Sequence, residues 1–190
     1  MNRRLFCLYI LSSLSAGALG AAPPTLTKDE VEVSYENGMY TGRFSFFVPV
    51  PQAVAWEVLI DFDRMAAFVP NLESSRILTR DDTAIVFAQK GKISYGIFTF
   101  AFESERRVEL HPKEGLLLAK ALSGSAKHMA SEMRVAAEGA GTRLAYRVEM
   151  IPGRWYPSSF GISGMRHEIA EQFTALAGEM LRRAESRAGR

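Results

Sequence analysis

Cysteine is nearly absent from this 190-residue chain: Cys7 stands alone, and only three histidines, His111, His128 and His167, accompany it. One cysteine cannot form an intramolecular disulfide, and scattered histidines without an HExxH-type spacing give no zinc pattern. No G-x-S-x-G elbow, P-loop or Rossmann glycine pattern occurs. Gly161-Ile162-Ser163-Gly164 lacks the elbow spacing. Charge of one sign is lacking too, with 23 basic against 21 acidic residues, which argues against a nucleic-acid partner. Long apolar runs, low-complexity tracts and internal repeats are missing beyond the first twenty residues. The reading therefore assigns no catalytic residue, no metal and no cofactor.

Those first residues have a pattern of their own. Asn2, Arg3 and Arg4 form a positive start, and Leu5 to Leu19 is apolar but diluted by Ser12, Ser13, Ser15 and Gly17. Ala18-Leu19-Gly20 then offers small residues for cleavage. This is the order of a secretory signal peptide, and the apolar run of about 15 residues is short of the roughly 20 that span a bilayer. Residues 1–20 are expected to be removed, taking Cys7 with them, and residues 29–187 to form one domain. Loss of Arg3 and Arg4 removes the formal excess of +2. The expected address is the periplasm or the outside of the cell.

What is abundant is apolar periodicity: hydrophobic residues make up 47% of the chain. From about Ser163 to Ser186, Met165, Ile169, Phe173, Leu176, Met180, Leu181 and Ala184 recur at steps of three and four, predicting one long amphipathic helix. Before it, alternating segments predict strands over Val31–Tyr35, Met39–Val50, Ser75–Arg80, Thr83–Ile93, Ile97–Leu110, Leu116–Leu122, Met129–Ala137 and Thr142–Ile151. Asn37-Gly38 is a hairpin signal. Pro49 and Pro51 stop a strand, and Gln52 to Met65, continuing toward Pro70, reads as two short helices. Strands joined by short turns, then one long helix, give an α+β domain with a sheet curled around the helix.

At this point the sequence resembles the START-like, Bet v 1-like (SRPBCC) superfamily. The resemblance lies in Val48-Pro49-Val50-Pro51-Gln52-Ala53-Val54-Ala55-Trp56-Glu57-Val58-Leu59-Ile60-Asp61-Phe62-Asp63 and in Phe68-Val69-Pro70-Asn71-Leu72-Glu73-Ser74-Ser75-Arg76-Ile77-Leu78. It extends in kind and order to about Arg183 and is closest to polyketide cyclase/dehydrase or coenzyme-Q-binding-like members, here in exported bacterial form. It implies a helix-grip fold: a curved antiparallel sheet of about seven strands around the C-terminal helix, with two short helices after the first strand. It also implies a cavity between sheet and helix, where family members bind lipids, sterols, polyketides or quinones.

Alternation then nominates the wall. Phe98, Phe100 and Phe102 share one strand face. Leu144, Tyr146 and Val148 share another, and Ile169, Phe173, Leu176 and Met180 lie on the helix. If these faces meet, they line an apolar pocket, or they fill an ordinary core. Five methionines, Met129, Met133, Met150, Met165 and Met180, suit a pliable wall. The loop Arg154-Trp155-Tyr156-Pro157 reads as a lid, as a tip for transient membrane contact, or as packing at the helix entry. An enzyme needs a proton-transfer group. His128, Glu132 and Arg134 share one strand face, but Met129, Met133 and Val135 take the inner one and leave the three in solvent. His111, before Pro112, reads as exposed; His167, near the start of the long helix, reads as a solvated residue within reach of the cavity rim. The partner expected is a hydrophobic small molecule or lipid. A cyclase or hydrolase on the same scaffold, or a protein–protein adaptor with a filled core, are the alternatives.

Overall fold

The computed structural model describes residues 23–95, 98–153 and 158–189. The proposed leader and the Arg154–Pro157 loop lie outside the described residues. Eight strands run in chain order: β1 (Glu32–Glu36), β2 (Met39–Val48), β3 (Leu72–Arg80), β4 (Ala84–Tyr95), β5 (Phe98–His111), β6 (Leu116–Gly124), β7 (Ala126–Glu138) and β8 (Gly141–Pro152). Helix α1 (Gln52–Leu59) and a 3-10 segment over Phe62–Ala67 follow β2, and α2 (Ser158–Ala188) closes the chain.

The sheet is wholly antiparallel in the order β1-β2-β8-β7-β6-β5-β4-β3. Neighbours in sequence are neighbours in space from β3 to β8. The one long-range step lays β2 against β8, pairing Phe44 with Tyr146. The β1–β2 turn uses Asn37 at φ 50° and Gly38 at φ 85°, the pair of left-handed residues that a two-residue hairpin requires.

Inward parity follows the alternation. On β2, Tyr40, Phe44, Phe46 and Val48 are buried while Arg43, Ser45 and Phe47 face out. The core gathers Val54, Val58, Leu59 and Phe62 from the helical segment, Ile85 and Phe87 from β4, Leu144 from β8, and Phe173, Leu176, Ala177 and Met180 from α2. Phe62 stacks on Phe87 with ring centroids 3.7 Å apart. Gly42 sits where a Cβ would come within 2.8 Å of Ile169, so its missing side chain is what lets α2 settle on the sheet.

Helix α2 has 31 residues, roughly 46 Å at 1.5 Å each, and begins five residues before the periodic stripe that announced it. The chain before β1 straps across it. Leu26 is buried, and Thr174 Oγ1 accepts from the Leu26 N–H at 3.0 Å and donates to its carbonyl at 3.3 Å. No helix among the described residues is long and apolar enough to cross a membrane.

Candidate functional site

Between the sheet and the first half of α2 lies a cavity of about 270 Å³. Its wall comes from β5 (Phe100, Phe102, Ser104, Arg106), β7 (Ala126, Met129), β8 (Tyr146, Val148, Met150) and α2 (Gly161, Gly164, Met165, Glu168, Ile169, Gln172). Tyr40, Gln89, Ile93 and the Val69–Leu72 segment complete it.

Of the ten residues nominated from sequence, Phe100, Phe102, Tyr146, Val148 and Ile169 stand at this wall. The side chain of Phe98 lies outside the described residues. Leu144, Phe173, Leu176 and Met180 are instead packed in the core, each less than 5% exposed. The helix stripe was read correctly as inward-facing, but it passes from cavity to core along its length: residues up to Gln172 line the cavity and those from Phe173 onward fill the space. Phe173 closes the cavity's inner end, with its ring 4.6 Å from Phe44 and 4.9 Å from Tyr146. The methionines divide the same way. Met129, Met150 and Met165 line the cavity; Met133 and Met180 are core.

The polar groups are fewer and more telling. Arg106 points inward from β5 beside Phe102 and Ser104. One guanidinium nitrogen, Nη2, donates to Gln89 Oε1, and the carbon Cζ lies 4.8 Å from the Phe87 ring centre. Its Nε–H is buried with no partner, and no carboxylate of the described residues pairs with it. Burial holds its pKa below the usual arginine value, while the nearby Tyr146 phenol acts in the other direction. Gln89, 3% exposed, is oriented by its own amide N–H groups, which reach Ser75 Oγ at 3.1 Å and Met65 Sδ at 3.5 Å. Burial raises the Tyr146 phenol, against Arg106 and a hydrogen bond with Ser131, so it is a neutral O–H group.

At the rim, the Asn71 side-chain amide donates to Glu171 at 2.9 Å and to Glu168 at 3.2 Å, tying the turn before β3 to α2. Asn71 is in the left-handed region at φ 66°, and its carbonyl accepts from the Lys92 N–H at 2.9 Å. Gly91 makes that approach possible, since a Cβ there would fall 2.0 Å from the Asn71 carbonyl oxygen. Burial, and then the neighbouring Glu171 charge, raise the Glu168 pKa; one of its oxygens is buried without a partner. His167, Glu168 and Glu171 bring ligand atoms within 4.8 Å of one another. His167 is exposed and is not part of the cavity wall.

Sequence reading missed Arg106, Gln89, Glu168, Glu171 and Asn71. The signal for Arg106 was there: it shares strand parity with Phe100 and Phe102, so a charge interrupts an apolar face. The helix run His167-Glu168-Ile169-Ala170-Glu171 was a second such signal. The face of β7 carrying His128, Glu132 and Arg134 points outward as alternation required. His128 and Arg134 are exposed, and Arg134 Nε pairs with Glu132 at 2.6 Å. His111 differs from expectation: it is half-buried at the end of β5, with Nε2 lacking a partner.

A wrapped antiparallel sheet, a gripped C-terminal helix and a cavity between them define the START-like helix-grip class. Within it, the chain belongs to the polyketide cyclase/dehydrase and lipid transport family, whose model matches residues 48–157. Solved structures agree on the fold. A STAR-related lipid transfer protein fragment from Xanthomonas axonopodis aligns with a TM-score of 0.65 at 11% identity, covering 80% of this chain and 99% of that one. The Zhui aromatase/cyclase from Streptomyces sp. R1128 aligns at 0.59 and 20% identity, covering 79% and 96%. A START superfamily protein from Mycobacterium smegmatis aligns at 0.59 and 14%, covering 77% and 97%. No curated protein matches the sequence significantly.

Proposed function

We propose that this protein binds a hydrophobic small molecule or lipid in the cavity between the sheet and the first half of α2. The observation that carries the reading is the cavity's apolar wall. Phe100, Phe102, Met129, Val148, Met150, Met165 and Ile169 surround about 270 Å³ of space. An apolar void of that size lowers stability unless something fills it, and capture by burial contributes about 25 cal/mol per Å² of apolar surface removed from water. The volume is near the lower end of ligand pockets, roughly 300–1,000 Å³, which suits a single chain or a small ring system. The leader-like residues 1–20 support export to the periplasm as the place of action.

Native mass spectrometry of the protein purified from its own compartment, followed by organic extraction, tests this. A stoichiometric lipid-sized adduct is expected. A bare polypeptide mass that stays bare after incubation with fatty acids, isoprenoid quinones and aromatic polyketides contradicts it.

One observation favours a second reading, a cyclase- or hydrolase-type enzyme. Titratable groups do face the cavity: Glu168, with its raised pKa, and the neutral Tyr146 phenol. Under that reading Glu168→Gln still takes up ligand but no longer converts it. Recovery of chemically unchanged ligand from wild-type protein counts against it. The adaptor alternative required a filled core, and the cavity removes that premise.

A further inference from the structure

An arginine inside an apolar wall is costly unless its charge is answered. Arg106 is not answered by the protein. Its surroundings are Phe87, against which the guanidinium lies, the amide oxygen of Gln89, and the phenol of Tyr146. Glu168 and Glu171 line the same cavity but bond Asn71, not Arg106. The hydroxyl and amide groups nearby are neutral, and Gln89 is held by Ser75 and Met65 so that its oxygen, not its nitrogen, meets the guanidinium. The set is thus a fixed cation with a free Nε–H, flanked by an O–H group, at the wall of a cavity.

We infer that the ligand is amphipathic, with an anionic head of carboxylate type that docks on Arg106 and an apolar tail that lies along the phenylalanine and methionine wall. This rests on the cavity being a binding site and adds the head-group chemistry. A planar guanidinium with its Nε–H unused matches the two oxygens of a carboxylate. Tyr146, kept protonated by burial and hydrogen-bonded to Ser131, adds a polar hydroxyl beside it. The distribution of charge sets the orientation. Glu168 and Glu171 stand at the Asn71 rim, where a negative head would meet like charge, while Arg106 adjoins Phe87 and the closed core. The head therefore goes inward. A cavity of about 270 Å³ suits a chain of medium length.

The test compares two ligands that differ only in the head, decanoate and 1-decanol, by calorimetric titration of wild type and Arg106→Met. Wild type is expected to prefer decanoate by about ten- to a hundredfold, the range of a charged hydrogen bond. Arg106→Met is expected to lose that preference while retaining decanol. Equal affinity of wild type for both ligands, or full decanoate affinity in Arg106→Met, overturns the head-group assignment and leaves the cavity reading standing. Failure of wild type to take either ligand overturns the head-group assignment, and failure to take isoprenoid quinones and aromatic polyketides as well overturns the cavity reading. Should Arg106→Met not fold, the wild-type comparison alone decides.

Discussion

The two halves of α2 are built on opposite terms. From Phe173 onward every large inward side chain is packed, and the buried charges Glu179 and Arg183 are ion-paired, although Arg183 Nη1 makes no hydrogen bond among the described residues. Arg183, 7% exposed along its side chain, bonds Glu179 at 2.6 Å and Asp61 at 2.5 Å; Glu57 lies 3.6 Å from it and also takes Arg187. Arg182 holds Glu179 from the solvent side at 2.7 Å. In the first half the helix faces a cavity, and buried polar atoms stand without partners: Glu168 Oε1, Arg166 Nε and, across the cavity, Arg106 Nε. Native proteins satisfy nearly all such atoms. What separates the halves is ion pairing: the half that pairs its buried charges is the anchor, and the half that leaves Glu168 and Arg166 without an ion pair among the described residues faces the proposed ligand.

The largest expected break in this comparison is at the anchor. Arg183→Ala removes the buried cation and leaves Glu179 to Arg182 and Asp61 to Arg64, at a cost of about 3 kcal/mol. In a domain of this size that lowers Tm by about 6–12 °C, and thermal unfolding checks it. Ligand affinity of the folded fraction should stay unchanged.

Acid should attack the same half. Hydrogen bonds from Arg182, with burial opposing and Arg183 assisting, pull Glu179 down to about 2. Asp61 is also lowered: burial opposes, but bonds from Arg64 and Arg183 outweigh it. A depressed carboxylate contributes its full stability above its unfolded value, near 4.5, and loses it as pH falls toward 2. For Glu179 the contribution is on the order of 3 kcal/mol. Urea unfolding of wild type and Glu179→Gln should differ by that order at pH 7 and converge near pH 2.

A third substitution acts on the cavity alone. Ser104→Phe projects a ring into the space between Phe102 and Arg106. Ligand affinity should fall at least about tenfold with stability changed by less than about 1.5 kcal/mol, because the new atoms enter a void rather than a packed core. A loss of stability as large as that of Arg183→Ala would mean the space is not available.

The smallest effect belongs to Gly178, midway along the packed half. A Cβ there meets nothing within 4 Å, so close approach does not explain the glycine. Gly178→Ala should stabilise by about 0.5–1 kcal/mol through helix propensity alone, seen as a rise of about 2–3 °C in Tm.

The scaffold was legible in the sequence because it is written in local periods. Alternation placed the strands, the Asn37-Gly38 turn placed a hairpin, and steps of three and four placed α2. The site was legible only in part. Five of the ten nominated residues stand at the cavity because strand parity determines which side chains face inward. It does not determine where the interior is filled. That depends on pairings such as β2 with β8 and on small residues such as Gly42, whose missing side chain is felt on α2. Phe173, Leu176 and Met180 share a stripe with Ile169, and nothing in their spacing separates cavity from core. Arg106 was overlooked because apolar residues were counted on each face, whereas the informative residue was the one that broke the count.

The methionines offer the most direct measurement of the central claim. Met129, Met150 and Met165 stand at the cavity, whereas Met65, Met133 and Met180 are each 5% exposed or less in the core. With 13C-labelled methionine methyls, titration with a medium-chain amphiphile should shift the first three signals strongly and saturably. The second three should move little. Shifts spread evenly over all six, or confined to the core set, would contradict the account.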